Sequence, residues 1–377
     1  MQNTLLKQKP QVNLARSTPL RMWLACSCAG IVALESSWTD RFVSLELALV
    51  ALIAALGTEF WAQHFFRREG GLPGGRVSDG SAAASAMILT LLLPNQIHPL
   101  YAAVGVVFAM LLVKFSFGGL GANWINPALG AWLFIRFSWP HSFNTALEGS
   151  YFSALAGALG QGLSDPQGSP LGILKISAGA SSPLGIDLAV TGFLNRTVFA
   201  LAGSELPAGY ISLFFSNTPG IIADRGIAAL FLGTAVVFGF QVIRPWIPAL
   251  YLGIYALLIR IFGGIFYGGP PGSGDILFGF FSGGTLVAAF FLMADPVSGA
   301  KSSAGMAAMV FIGALFSFIF RYPGAEPYGA FFAVALVNVL TPLIRILETR
   351  FLYSQRARRT VISPSMGSSA EHDEVPA

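Results

Sequence analysis

Charge is scarce in this chain: only 11% of its 377 residues are Asp, Glu, Lys or Arg, against about a quarter in an ordinary soluble domain. With 54% hydrophobic residues, such a surface could not stay in water, so a soluble globular fold is excluded. Cysteine is scarcer still. Cys26 and Cys28 give no material for a disulfide framework, and two thiols fall short of the roughly four ligands of an iron–sulfur centre. Packing is the simpler reading of the pair, and a share in a centre completed by another subunit is the alternative. His64, His98, His141 and His372 are scattered over span ends and the tail without zinc-site spacing, so no metal centre is expected. No Walker-type phosphate loop and no G-x-S-x-G elbow occur, which removes motif support for ATP-driven transport and for hydrolase chemistry. The formal net charge of +4 lies mostly at the two ends and in short loops. That pattern follows membrane orientation rather than nucleic-acid binding.

What is abundant is apolar sequence in long runs. A hydrocarbon core of about 30 Å takes about 20 apolar residues per helical span. A closed barrel would need strands that alternate apolar and polar residues over about ten positions. Runs such as LFLGTAVVFGF and VFIGALFSFIF do not alternate, so the expected class is an all-α polytopic membrane protein. Helices are expected at 22–39, 43–62, 80–93, 99–115, 126–138, 226–243, 247–262, 277–293, 304–320 and 329–346. Forty-three glycines fit close helix approach and broken helices.

Lys7, Lys9, Arg16 and Arg21 precede the first span, and Arg350, Arg356, Arg358 and Arg359 follow the last. Positive flanks stay in the cytoplasm, so both termini are expected inside, which an even count of about ten spans satisfies. Arg67, Arg68, Arg76, Lys114, Arg244 and Lys301 fall at inside ends under the same count. The basic, then apolar start also has the form of a cleaved signal peptide, whose removal would leave later spans oriented as before. The expected parts are a cytoplasmic segment 1–21, membrane halves 22–139 and 226–346, an outer loop region 140–225 and a disordered cytoplasmic tail 347–377. Within the loop region, IDLAVTGFLNRTVFALAG reads as an interfacial helix or a re-entrant piece.

The two halves look like a duplication. SAAASAMILTLLLP, Ser81 to Pro94, and GGTLVAAFFLMADP, Gly283 to Pro296, share small residues first, bulky ones next and a closing proline. A proline-led apolar segment follows each, at Pro127 and at Pro327. Five spans per half would turn the second copy upside down, and sites in inverted repeats gather where broken helices meet.

FGGLGANWINPALGAWLFIRFSWP, Phe117 to Pro140, resembles the GGLG-x-N-x-x-NPA signature of the RnfD and NqrB membrane subunits. DGSAAASAMILTLLLP from Asp79, GIIADRGIAALFLG from Gly220 and FSGGTLVAAFFLMADPVSGAKSSAG from Phe281 resemble three further segments of that family, in its order. The length is more like RnfD than NqrB. The resemblance implies a bacterial inner-membrane subunit of an Rnf-type complex, which moves electrons between ferredoxin and NAD while transporting Na+ or H+. It also implies a urea-transporter-like inverted-repeat fold, the other Rnf complex subunits (RnfA, RnfB, RnfC, RnfE and RnfG) as partners, and FMN esterified to a threonine by a separate flavin transferase, with riboflavin or a second noncovalent flavin as a further expectation. The family's D-x-x-S-G-A-T motif is altered here to KISAGASSPLG. Lys175 and Ala178 replace its aspartate and serine, and Ser181 stands for the threonine, with Ser182 second. A plain Ser/Gly loop is the other reading.

Further cofactor candidates are Gly119, Gly121, Asn123 and Asn126, whose turn lets backbone approach a ligand. Asn126 serves equally as a cap for the helix from Pro127. Gly283, Gly284 and Thr285 fit flavin contact or helix packing. Asp295 fits a cap or a cation contact. Among Glu35, Glu46 and Glu59, Glu46 is the candidate for ion coupling, because an intramembrane carboxylate is costly and the expected helix limits leave Glu59 near an interface. A catalytic residue is not assigned. The rival reading is an inverted-repeat transporter or channel for a small neutral solute, without flavin.

Overall fold

The computed structural model describes residues 18–67, 79–117, 119, 123–143, 185–200, 210–214, 220–266, 271–272, 274–295, 297–300, 302–324 and 326–362. Among them the chain is helical, with no strands. The helices are α1 (Thr18–Thr39), α2 (Val43–Arg67), α3 (Ser81–Leu92), α4 (Pro99–Phe108) running on into a π-helical turn (Ala109–Phe115), and α5 (Pro127–Ser138). Then come α6 (Gly185–Leu194) with a π-helical turn (Asn195–Phe199), α7 (Tyr210–Phe214), α8 (Ile222–Arg225) and α9 (Ile227–Gly239). Next is α10 (Trp246–Leu258), continued by Ile259–Gly263 and Gly264–Phe266. The chain closes with α11 (Ile276–Phe281), α12 (Thr285–Val287) with its π-helical turn (Ala288–Leu292), α13 (Ser303–Arg321) and α14 (Gly329–Ile362).

Four stretches among the described residues are long and apolar enough to cross a bilayer: Val43–Phe65, Trp246–Phe266, Ser303–Arg321 and Gly329–Arg350. Their outward faces are apolar. Ile53, Phe60, Leu257, Phe311 and Val339 are all exposed, which suits contact with lipid and would be a liability in water. The chain is a multi-pass membrane protein.

The expected spans coincide with helices, with two instructive differences. The expected helix 277–293 is broken into α11 and α12, because Gly283 and Gly284 both adopt positive φ (66° and 69°), which ends helical hydrogen bonding. The tail expected to lack structure from residue 347 is helical to Ile362, since α14 continues. The segment read as interfacial or re-entrant forms α6 and its π-helical turn.

α1 and α9 run antiparallel. Gly226 packs on Val32 and Gly233 on Cys28, while beyond α9 Val242 and Ile243 share a cavity with Arg21. A Cβ on Gly233 would lie 2.1 Å from Cys28 Sγ, so glycine permits this approach. Cys28 is therefore used in packing, in keeping with the simpler reading of the pair. α3 packs on α1 and α2, α10 on α13, and α13 on α14.

Candidate functional site

A helix start leaves backbone N–H groups without partners, and where they are shut off from water each unsatisfied group is costly. At four helix starts this chain supplies a carboxylate acceptor. Asp79 Oδ1 accepts from Ser81 N at 2.8 Å for α3, and Glu35 Oε2 from Ala229 N at 2.6 Å for α9. Asp275 Oδ1 accepts from Phe278 N at 2.9 Å for α11. Asp224 Oδ1 accepts from Gly284 N at 2.9 Å for α12. The carboxylates complement the positive helix ends.

Two of these starts carry a buried cation as well. At α3, Lys114 Nζ donates to Ser81 Oγ at 2.7 Å and to Glu59 Oε1 at 2.6 Å. Both members of this ion pair are out of solvent, at 2% and 0% side-chain exposure. At α12, Arg321 Nη1 reaches Thr285 Oγ1 and Gly279 O at 2.8 Å and Ser282 O at 2.9 Å, and Nη2 reaches Ser282 Oγ at 2.5 Å. Arg321 thus satisfies carbonyls freed where α11 gives way to α12. In each case a glycine with φ near 70°, Gly80 or Gly284, is the N-cap, a hydroxyl residue stands at or beside the first helical position, and the cation comes from the end of a later helix.

A polar cavity lies on the side where α1 begins. A cavity of about 290 Å³ is lined by Arg21, Ser81, Ser85, Lys114, Asn123, Asn126 and Asp295, with Ile88, Ile243 and Phe291 as apolar walls. A neighbouring one of about 350 Å³ shares Arg21, Ile243 and Asp295 and adds Met306 and Met309. Asn126 Nδ2 donates to Asp295 Oδ2 at 3.2 Å, which ties the start of α5 to the end of α12's turn across the cavity floor. Asn126 also caps α5 through Ala128 N at 2.9 Å, and Asp295 accepts from Val297 N and Ser298 Oγ at 3.0 Å. Asn126 therefore acts as a helix cap and a lining group, and Asp295 as a lining group that holds the turn after it.

The candidate residues separate into groups. Asn123 and Asn126 line this cavity; Gly119 is buried. Gly283, Gly284 and Thr285 lie apart from it, around Arg321. A Cβ on Gly284 would meet Phe331 at 2.3 Å and Ile221 at 2.8 Å, so the space before that glycine is filled by protein. Gly121, Ser181 and Ser182 lie outside the described residues. Glu46 is exposed in the first turn of α2, whereas Glu59 is fully buried. The expected limit of the helix at residue 62 is therefore corrected: α2 continues to Arg67, which leaves Glu59 well inside the helix. Lys114, read as a flanking charge at an inside end, is buried at 1% exposure. Sequence reasoning missed Lys114, Arg321 and Asp224 as site-forming residues. The available signal was a charge next to an apolar run, in LLVKF, IFRYP and IIADR.

Charged side chains buried at half-length helix starts, within spans faced with apolar residues, define a membrane protein built to keep polar groups at depth. The chain belongs to the NQR2, RnfD, RnfE family, which matches residues 5–353. It is 28% identical over 345 residues to the D component of the proton-translocating ferredoxin:NAD(+) oxidoreductase complex of Clostridium ljungdahlii, covering 90% of this chain and 92% of the relative. It is 28% identical over 314 residues to the D component of the Na(+)-translocating ferredoxin:NAD(+) oxidoreductase complex of Acetobacterium woodii, covering 82% of each. A third relative, the D component of the ion-translocating oxidoreductase complex of Vibrio cholerae, is 28% identical over 351 residues, covering 90% of this chain and 96% of the relative.

Proposed function

We propose that this chain is the flavin-carrying membrane subunit of an Rnf-type complex that couples electron transfer between ferredoxin and NAD to translocation of Na+ or H+. The observation that carries this reading is the family match across residues 5–353, together with relatives named as the D component of such complexes along nearly their whole length. The partners on this reading are RnfA, RnfB, RnfC, RnfE and RnfG. The ion stays open between two, because relatives of equal identity are named for H+ in one case and Na+ in the other.

The architecture proposed is about ten spans in two inverted repeats, as the family's urea-transporter-like fold implies. Its support is the recurrence of one device: glycine N-cap, hydroxyl and buried cation at the start of both α3 and α12. Broken helices of this kind mark the sites of inverted-repeat transporters. With both termini in the cytoplasm of a bacterium, the cavity at the start of α1 opens toward the cytoplasm and the Arg321 cluster faces the outer side.

FMN is proposed on Ser181, or on Ser182, placed there by a flavin transferase. The segment leads into α6, which packs on α7, which in turn packs on α11 beside Gly283 and Gly284. Tyr210 of α7 donates a hydrogen bond to Asp275, the cap of α11. The inner cavity also suits a planar ring with a polar edge: Asn123 Oδ1 is buried without a partner, Ile88 and Phe291 supply apolar walls, and about 290 Å³ lies at the lower end of small-molecule sites. A second, noncovalent flavin is proposed there. Bound flavin supplies the electron-carrying chemistry; the protein's part is to hold it, exclude water and fix the polar groups at its edge.

The test is a set of inverted membrane vesicles from cells that produce the whole complex with and without this chain. Ferredoxin-dependent NAD reduction with ion uptake only when the chain is present supports the proposal. Uptake of a small neutral solute by the chain alone, with no effect on electron transfer, would replace it with the solute-pore reading.

A further inference from the structure

The cavity of about 350 Å³ lies beside the one assigned to the second flavin, and the polar groups on its wall are mostly donors. Arg21 and Arg244 both line it. Arg21 Nε is buried without a partner among the described residues. Arg244 Nη1 donates to Met306 Sδ at 3.6 Å, and Ala300 N, also on the wall, donates to Met309 Sδ at 2.9 Å. A thioether is a weak acceptor, so these N–H groups are poorly used. The carboxylate on the wall, Asp295, is already committed: Oδ1 accepts from Val297 N, and Oδ2 from Asn126 Nδ2 and Ser298 Oγ. Gln241 adds a side-chain amide to the same wall. Its φ is 53°, just past the end of α9 where glycine is the usual residue, so the fold keeps this side chain at a cost in backbone strain. Donors without good acceptors suit an anion with several oxygens, and guanidinium groups match phosphate in particular.

The position of the cavity narrows the choice of anion. α10 and α13 run parallel, with Arg244 meeting Met306 near their starts and Tyr251 meeting Ser317 further along. Both begin membrane spans, at Trp246 and Ser303, so the cavity lies where two spans enter the bilayer. Orientation in the membrane accounts for arginines at span ends, but it asks only for charge in water and not for guanidinium groups on a cavity wall. The flank of the cavity is apolar: Trp246 and Leu250 of α10 are exposed, and Ile247, Met293 and Val310 form part of the lining. Basic pockets between helices at headgroup depth suit anionic lipids, whereas a soluble anion would gain nothing from the apolar flank.

We propose that this cavity binds the headgroup of one anionic phospholipid from the leaflet at which α1, α10 and α13 begin. Arg21, Arg244 and Gln241 donate to its phosphate, and the acyl chains leave past Trp246 and Leu250. The site stands independently of the redox function proposed above.

Native mass spectrometry of the full chain in detergent tests this, with phosphatidylglycerol, phosphatidylcholine or inorganic phosphate added. The wild type is expected to retain one phosphatidylglycerol in preference to phosphatidylcholine, whose ammonium the two guanidinium groups repel. Arg244→Gln removes a charge-assisted contact and should weaken that retention about tenfold or more. Gln241→Gly keeps the backbone conformation and relieves its strain, so weaker retention there reports the lost side chain and not a weakened fold. Arg260→Gln, the same loss of charge in the turn that continues α10 at its far end, should change nothing. No retained lipid, equal retention of both lipids, retention unchanged in Arg244→Gln, or an equal loss in Arg260→Gln overturns the proposal. Inorganic phosphate bound in place of the lipid, and lost in Arg244→Gln, would assign the site to a soluble phosphate and overturn the lipid reading.

Discussion

The side chains with the largest consequences are charges that the fold has enclosed. Lys114 and Glu59 are worth little net as a pair, yet removing one member strands the other, which costs about 3–5 kcal/mol. Lys114→Met is expected to lower the thermal unfolding midpoint of the detergent-solubilised chain sharply. Lys114→Met combined with Glu59→Leu should recover most of the loss, because buried pairs replaced by well-packed apolar residues are often neutral. A double variant no more stable than Lys114→Met would show that Lys114 stabilises by something other than its pairing. This pair also marks where the sequence stops being legible. Both charges are visible in it, but their separation of 55 positions is bridged only by packing, and the helix limit expected at residue 62 fell short of Arg67, where α2 ends.

Between one element and the next, hydropathy located helices well because an apolar run long enough to span leaves few alternatives in lipid. It could not show the break in 277–293, since FGFFSGGTLVAAFF stays apolar or small throughout and only the positive φ of two glycines interrupts it. Gly284→Ala should destabilise by about 1–3 kcal/mol through overpacking against Phe331 and Ile221, with strain at positive φ added. Gly253→Ala on α10, where a Cβ would meet nothing within 4 Å, should instead be neutral or stabilising by about 0.5–1 kcal/mol. Unfolding midpoints of the two variants compared side by side check the contrast. Asn126→Ala should cost about 1 kcal/mol for the lost cap. Because it also frees Asp295 from its link to α5, a weaker affinity for added riboflavin, read by fluorescence quenching, is expected from it.

For the molecule as a whole, one arrangement occurs at two helix starts: N–H groups met by a carboxylate, with a buried cation beside them. The small, bulky and proline residues of both segments were visible in the sequence, but the cations were not, since Lys114 and Arg321 are different residue types reached from different helices. The proposed flavin-attachment segment rests on family resemblance alone, because a Ser/Gly loop carries no physical signature of an ester bond. The most direct measurement is therefore the intact mass and in-gel flavin fluorescence of the denatured chain, isolated from cells that also make the partner subunits and a flavin transferase. A gain of one FMN, abolished by Ser181→Ala or moved to dependence on Ser182, is the predicted result. A chain with no covalent flavin, and none released on denaturation, would contradict its role as the flavin carrier.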